Sequence, residues 1–147
     1  MLDWYRIMGH TVTSCKIHLV WCTKYRYKVL KWEMQRRWRD IIRQTCEWMD
    51  VVILKWVVSS DHIHLLVEYP PKLWISEIIK RLKWRSSRIL MQEYWELRKR
   101  YWWRHMWWIG YFAATLWNIT DEMIEEYLEH HRNAYKRLRD DNIFILE

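Results

Sequence analysis

Apolar positions recur along this chain with two different periods, and the switches between them lay out its elements. Between residues 15 and 24, Ile17, Leu19 and Trp21 alternate with other residues, which predicts a strand with one apolar face. From Glu33 to Asp50, Met34, Trp38, Ile41, Ile42, Thr45 and Met49 fall at helical spacing with Arg and Gln between them, and this predicts an amphipathic helix. Val51 to Ser59 is rich in β-branched residues and reads as a second strand. Ser60-Asp61 punctuates it, and His62 to Tyr69 follows as a third, so a hairpin is expected. Pro70-Pro71 ends that strand, because proline has no N–H to give to a ladder. Ile75, Ile78, Ile79, Leu82, Ile89 and Leu90 mark a second helix from Ser76 to Glu93, and Trp107 to Leu116 is a fourth strand candidate. Thr120 is a natural N-cap, followed by Asp121 and Glu122 where the helix dipole favours anions, and the helix it starts runs to Arg139. The order β-α-β-β-α-β-α predicts an α+β, ferredoxin-like domain: an antiparallel sheet with helices on one face and a C-terminal helix beyond it.

Composition narrows the class. The 147 residues suffice for one core, and 51% hydrophobic with 29% charged residues is the balance of a folded domain without low-complexity segments. No apolar run approaches the roughly 20 residues that a membrane helix needs, and the first residues lack a signal-peptide core. Cys15, Cys22 and Cys46 form neither a zinc pattern nor an even disulfide set, which points to a reducing cytoplasm. A net charge of +7 favours a polyanionic partner. Fourteen tryptophans beside two glycines are abnormal, and several turns that want positive φ must be made without glycine.

Three groups of residues carry chemistry. In His62-Ile63-His64 the two imidazoles project from one strand face and make a good ligand pair for a divalent metal, with Asp61 placed to orient one ring. The same triplet is compatible with a plain polar strand face. Tyr127 and His131 lie one turn apart on the last helix, as a nucleophile and a third ligand would, although Ile124, Leu128, Tyr135 and Leu138 share that stripe and would suit a packed aromatic. Lys80, Arg81, Lys83, Arg85 and Arg88 crowd the second helix beside Ser86 and Ser87, and Arg98, Lys99, Arg100 and Arg104 follow. Tyr94, Tyr101, Trp102 and Trp103 are interleaved with them. Cations that neutralise phosphates beside aromatics that stack bases suit single-stranded nucleic acid, and a solvated helix face accounts for the charges nearly as well.

With these motifs in this order, the chain resembles the single-tyrosine HUH transposases of small bacterial and archaeal insertion sequences. The likeness covers nearly the whole chain, from His18 to Tyr135. It rests on His18-Leu-Val-Trp-Cys-Thr-Lys-Tyr-Arg-Tyr-Lys-Val-Leu30, Ser60-Asp-His-Ile-His-Leu-Leu-Val67, Tyr69-Pro-Pro-Lys72, Leu82-Lys-Trp-Arg-Ser-Ser87, Gly110-Tyr-Phe-Ala-Ala-Thr115, Asn118-Ile-Thr-Asp-Glu122 and Tyr127. The resemblance implies one transposase domain over residues 1–147, with His62 and His64 as metal ligands and Tyr127 as the nucleophile. With it, the expected ion is Mg²⁺ or Mn²⁺, and the residues themselves put Asp61 behind the ligands and Lys83, Arg85, Ser86, Ser87, Arg88 and Arg104 toward DNA. Four residues after the tyrosine the family usually has glutamine as the remaining ligand, and here it is His131. Trp84 and Trp117 stand where the family pattern has glycine, and Trp32, Trp56, Trp103 and Trp108 look like similar replacements. The expected activity is cleavage and rejoining of single-stranded DNA hairpin ends by a homodimer. A repeat-associated or domesticated relative that binds hairpins without transposing is the alternative.

Overall fold

The structure, a computed structural model, describes residues 5–102, 105–116 and 129. By its contacts the chain divides into two compact units, Trp4–Trp117 and a second made of Met1–Asp3 with Asn118–Glu147. All of the predicted C-terminal helix but Glu129, including Thr120, Tyr127 and His131, lies outside the described residues.

The larger unit is built on four antiparallel strands. These are β3 (Lys16–Cys22), β4 (Val52–Val58), β5 (His62–Glu68) and β6 (Phe112–Leu116), ordered β4-β5-β3-β6 across the sheet. Helix α1 (Trp32–Trp48) connects β3 to β4, and α2 (Ile75–Glu93) leads from β5 toward β6, giving the expected β-α-β-β-α-β order. A two-stranded hairpin of β1 (Arg6–Met8) and β2 (Thr11–Thr13) precedes this frame, and a short α3 (Trp95–Arg100) follows α2.

Strand register decides what each sheet face does. Because Lys16 pairs with Glu68 and Cys22 with His62, Ile17, Leu19 and Trp21 share a face with Ile63, Leu65 and Val67. That face forms one apolar core with Met34, Trp38, Ile41 and Ile42 of α1 and Ile78, Ile79, Leu82 and Leu90 of α2. The opposite face presents His18, Val20 and Cys22 of β3 beside His62, His64 and Leu66 of β5. Of these, all but His62 are buried.

The scarcity of glycine is met by other residues. Asp50 follows α1 at φ 57°, the left-handed position where a glycine commonly ends a helix. Tyr25 and Arg26 take φ 60° and 54° in the turn after β3. No described tryptophan adopts positive φ. Trp84 sits on the exposed side of α2, where a helix accepts bulk, and Trp56 packs edge-on to Trp38 at 6.3 Å.

The fourth strand is shorter than predicted. Residues 107–111 are not part of it, and Trp107 makes an isolated bridge to Thr23. The segment is held instead by Lys83 of α2, whose ammonium donates to the carbonyls of Trp108, Ile109 and Gly110 at 2.6, 3.1 and 3.3 Å.

Candidate active site

Period-two geometry places both predicted ligands on the same face of β5. The rings of His62 and His64 lie 5.2 Å apart, nearly perpendicular to each other. Each is anchored through Nδ1, His62 by its sequence neighbour and His64 by a residue of another strand. The Nδ1 of His62 donates to Oδ1 of Asp61 at 2.6 Å, since a carboxylate can only accept. The Nδ1 of His64 lies 3.1 Å from Nε2 of His18, which reaches across the sheet from β3.

Asp61 is itself buried and tightly held. Thr23 at the end of β3 donates its amide to the Asp61 carbonyl at 2.8 Å, while its hydroxyl donates to Tyr27. The guanidinium of Arg26 donates to Oδ2 of Asp61 at 3.3 Å. Burial by itself would raise the Asp61 pKa, but the hydrogen bond and charge interaction with His62, and after them those with Arg26, outweigh it and hold the carboxyl below its usual range. The positive φ at Tyr25 and Arg26 thus lies in the turn that aims Arg26 at this carboxylate. Such backbone conformations persist where surrounding contacts over-determine them.

The donor set fits a divalent metal. A neutral His62 that gives its Nδ1 proton to Asp61 carries its lone pair on Nε2, the atom a metal would use, and carboxylate–histidine pairs are the usual arrangement behind such ligands. Among the described residues no group of three His, Cys, Asp or Glu converges on one point. His131, expected as a further ligand, and Tyr127 both fall outside the described residues.

The residues expected to face DNA divide. Arg88 is exposed, its guanidinium 4.9 Å from the Trp84 ring centroid, and Arg85 lies 4.0 Å from that of Trp48. These pairs offer charge beside a flat ring. Ser86 and Ser87 depart from the expectation, because both are buried. Ser86 donates to the Leu82 carbonyl at 2.6 Å and accepts the Trp107 indole N–H at 3.0 Å, so its hydroxyl is spent inside the protein. Lys83 is likewise committed to the carbonyls before β6, and burial lowers its pKa. Tyr101 is core rather than a stacking surface; its hydroxyl donates to the Lys24 carbonyl, and burial pushes its pKa up to about 12. Trp102 is exposed, whereas Arg104 and Trp103 lie outside the described residues.

His18 and Arg26 were not singled out by sequence reasoning. A signal for His18 was present: on a strand whose other face is Ile17, Leu19 and Trp21, a histidine at an even position stands on the face opposite the core, where His62 and His64 also lie. Nothing local pairs it with His64, 46 residues away.

The family model "Transposase IS200 like" matches residues 11–131. The chain is 37% identical over 123 residues to a transposase for insertion sequence element IS200 of Salmonella typhimurium, covering 84% of this chain and 80% of that protein. It is 31% identical over 118 residues to the ISDra2 transposase TnpA of Deinococcus radiodurans, covering 80% and 84% of the two chains. Among solved structures, a putative transposase from Deinococcus radiodurans R1 superposes with a TM-score of 0.71 at 28% identity, over 85% of this chain and 96% of the other. A REP-associated tyrosine transposase bound to a REP hairpin shares the fold at 14% identity, with a TM-score of 0.54 over 85% of this chain and 67% of that one.

Proposed function

The chain belongs to the IS200-like transposase family, and from that premise we propose that it cuts and rejoins single-stranded DNA at the ends of an insertion sequence through Tyr127. The observation that carries this reading is the pair of histidines on one sheet face, each anchored through Nδ1, behind which Asp61 is buried and charged.

In the proposed reaction the Tyr127 phenol loses its proton and its oxygen forms a bond to the scissile phosphorus. The bond from phosphorus to the 3′ oxygen breaks, leaving a 5′-phosphotyrosine and a 3′-hydroxyl that takes up a proton. Covalent capture keeps the phosphodiester energy, so rejoining by another 3′-hydroxyl needs no nucleotide cofactor. Mg²⁺ or Mn²⁺, held by His62 and His64 with His131, would supply Lewis-acid polarisation of the phosphate. Asp61 holds the His62 ring and Arg26 holds Asp61, so the ligand is oriented before substrate arrives. Arg85 beside Trp48 and Arg88 beside Trp84 support DNA contact along the helices, with the basic net charge favouring encounter. Single-stranded hairpins at the element ends are the proposed substrate, and the protein of the same fold that is described with a REP hairpin is compatible with this.

We further propose a homodimer joined at sheet edges and a single functional domain spanning both compact units. The free state of the described cysteines fits a reducing cytoplasm, and no helix among the described residues is long and apolar enough to cross a membrane.

The test is a labelled single-stranded element end mixed with protein and Mg²⁺. Wild-type protein should form a denaturation-resistant adduct, and Tyr127→Phe should form none while still retarding the hairpin. Cleavage by Tyr127→Phe at the wild-type rate would remove Tyr127 from the mechanism. Hairpin binding by wild-type protein with no adduct at any metal concentration would favour the non-transposing alternative.

A further inference from the structure

We infer that His18 is a positioning residue: its Nε2 accepts the Nδ1 proton of His64 and so sets that ring to present Nε2 toward the metal. The inference rests on the proposed metal role of His62 and His64 and adds to it a residue on another strand.

The geometry is specific. His18 and His64 are 0% and 1% exposed, their facing nitrogens are 3.1 Å apart, and their rings meet edge to edge, with centroids at 5.3 Å and 15° between planes. One proton serves that contact, so one ring donates and the other accepts. If His18 donated, His64 would carry its own proton on Nε2 and could not ligate through that atom. If His64 donates, its lone pair is on Nε2, the same tautomer that Asp61 imposes on His62. The two ligands would then be matched by different means, a carboxylate behind one and a neutral imidazole behind the other. A neutral acceptor orients the ring without adding negative charge beside the phosphate.

His18 is well placed to hold a ring still. It sits mid-way along β3, with Leu66 of β5 opposite on one side and Ala114 of β6 on the other, so both neighbouring ladders fix its backbone. Phe112 closes against its ring edge-on at 6.2 Å. Across the sheet it is the diagonal neighbour of His64, at a range that two imidazoles can bridge.

The experiment measures Mn²⁺ binding by electron paramagnetic resonance, without DNA, for wild-type protein, H18F, H18Q and H64A. Imidazole ¹⁵N shifts of His64 are recorded in parallel on metal-free protein. H18F keeps the ring and removes the acceptor; H18Q returns an acceptor oxygen near the place of Nε2. Expected results are a loss of Mn²⁺ affinity of about 10- to 100-fold in H18F, substantial recovery in H18Q, and little change in hairpin retardation in EDTA. His64 in wild-type protein should be protonated on Nδ1, and that preference should fall in H18F. Equal Mn²⁺ affinity in H18F and wild type would overturn the inference, while loss of binding in H64A would leave the metal reading standing. Wild-type protein that takes up no Mn²⁺ would overturn both. Should H18F fail to fold, the wild-type shifts decide: a proton on Nε2 of His64 overturns the role given to His18.

Discussion

Among single residues, Trp38 and Cys46 show most directly what burial does in this core. Trp38 is fully buried on α1, with Trp21 at 6.0 Å and Trp56 at 6.3 Å between ring centroids. A cavity of that size between helix and sheet cannot close, so Trp38→Ala should cost about 3–5 kcal/mol in urea unfolding. Burial also pushes the Cys46 thiol up to about 12. Its unfolded value is about 8.5, and that of Tyr101, also raised by burial to about 12, is about 10. Both groups are neutral in the fold and ionise more readily when unfolded. Their contribution to stability is therefore complete below about pH 8 and declines as pH rises toward 12. Urea midpoints should fall between pH 8 and pH 10, and Cys46→Ala should flatten that fall while lowering the midpoint at pH 8. An equally steep fall in Cys46→Ala would count against the thiol as a cause.

Between elements, α2 joins the sheet through polar side chains that look like a nucleic-acid face in sequence. Lys83 ties α2 to the run before β6, and Ser86 ties it to Trp107. Lys83→Met keeps the aliphatic stem but leaves three carbonyls without their charged donor. It should cost about 1–3 kcal/mol and speed hydrogen exchange in β6, with a lesser effect on the salt dependence of DNA binding. Arg88→Ala should do the reverse: little change in stability, weaker binding, and a salt slope reduced by roughly one counterion. If the two variants changed DNA affinity and stability alike, the division of α2 into an inner and an outer set would fail. The hairpin of β1 and β2 is fastened similarly, by Arg6 reaching the buried Glu68 at 2.8 Å and the exposed Asp50.

At the scale of the whole molecule, the open sheet leaves β4 and β6 as its two edges among the described residues. Exposed edges are templates for pairing with another chain, and edge-to-edge joining satisfies them. Light scattering at high concentration should give about twice the 18.9 kDa chain mass. A monomer mass under those conditions would remove the dimer from the proposal. The net charge of +7 acts on the same scale, steering DNA encounter less and less as ionic strength rises, without deciding which strand is held.

The four-strand, two-helix order and the shared face of His62 and His64 were legible in sequence, because both follow from local periods. An alternation of two puts His62 and His64 together whatever surrounds them, and the 3.6-residue stripe of α1 matches its buried residues Met34, Trp38, Ile41 and Ile42. Elements of three to six residues, such as β1, β2 and α3, are too short to show a period. The left-handed turns at Tyr25, Arg26 and Asp50 went unread because no glycine marks them. Tertiary structure alone decided which polar residues work inside. Ser86 bonds to Trp107, Lys83 to the Trp108 carbonyl and Tyr101 to the Lys24 carbonyl, 21, 25 and 77 residues away, and the His18–His64 contact spans 46 positions. Those contacts depend on how strands pair and helices dock, and the alternation within any one segment contains no record of it.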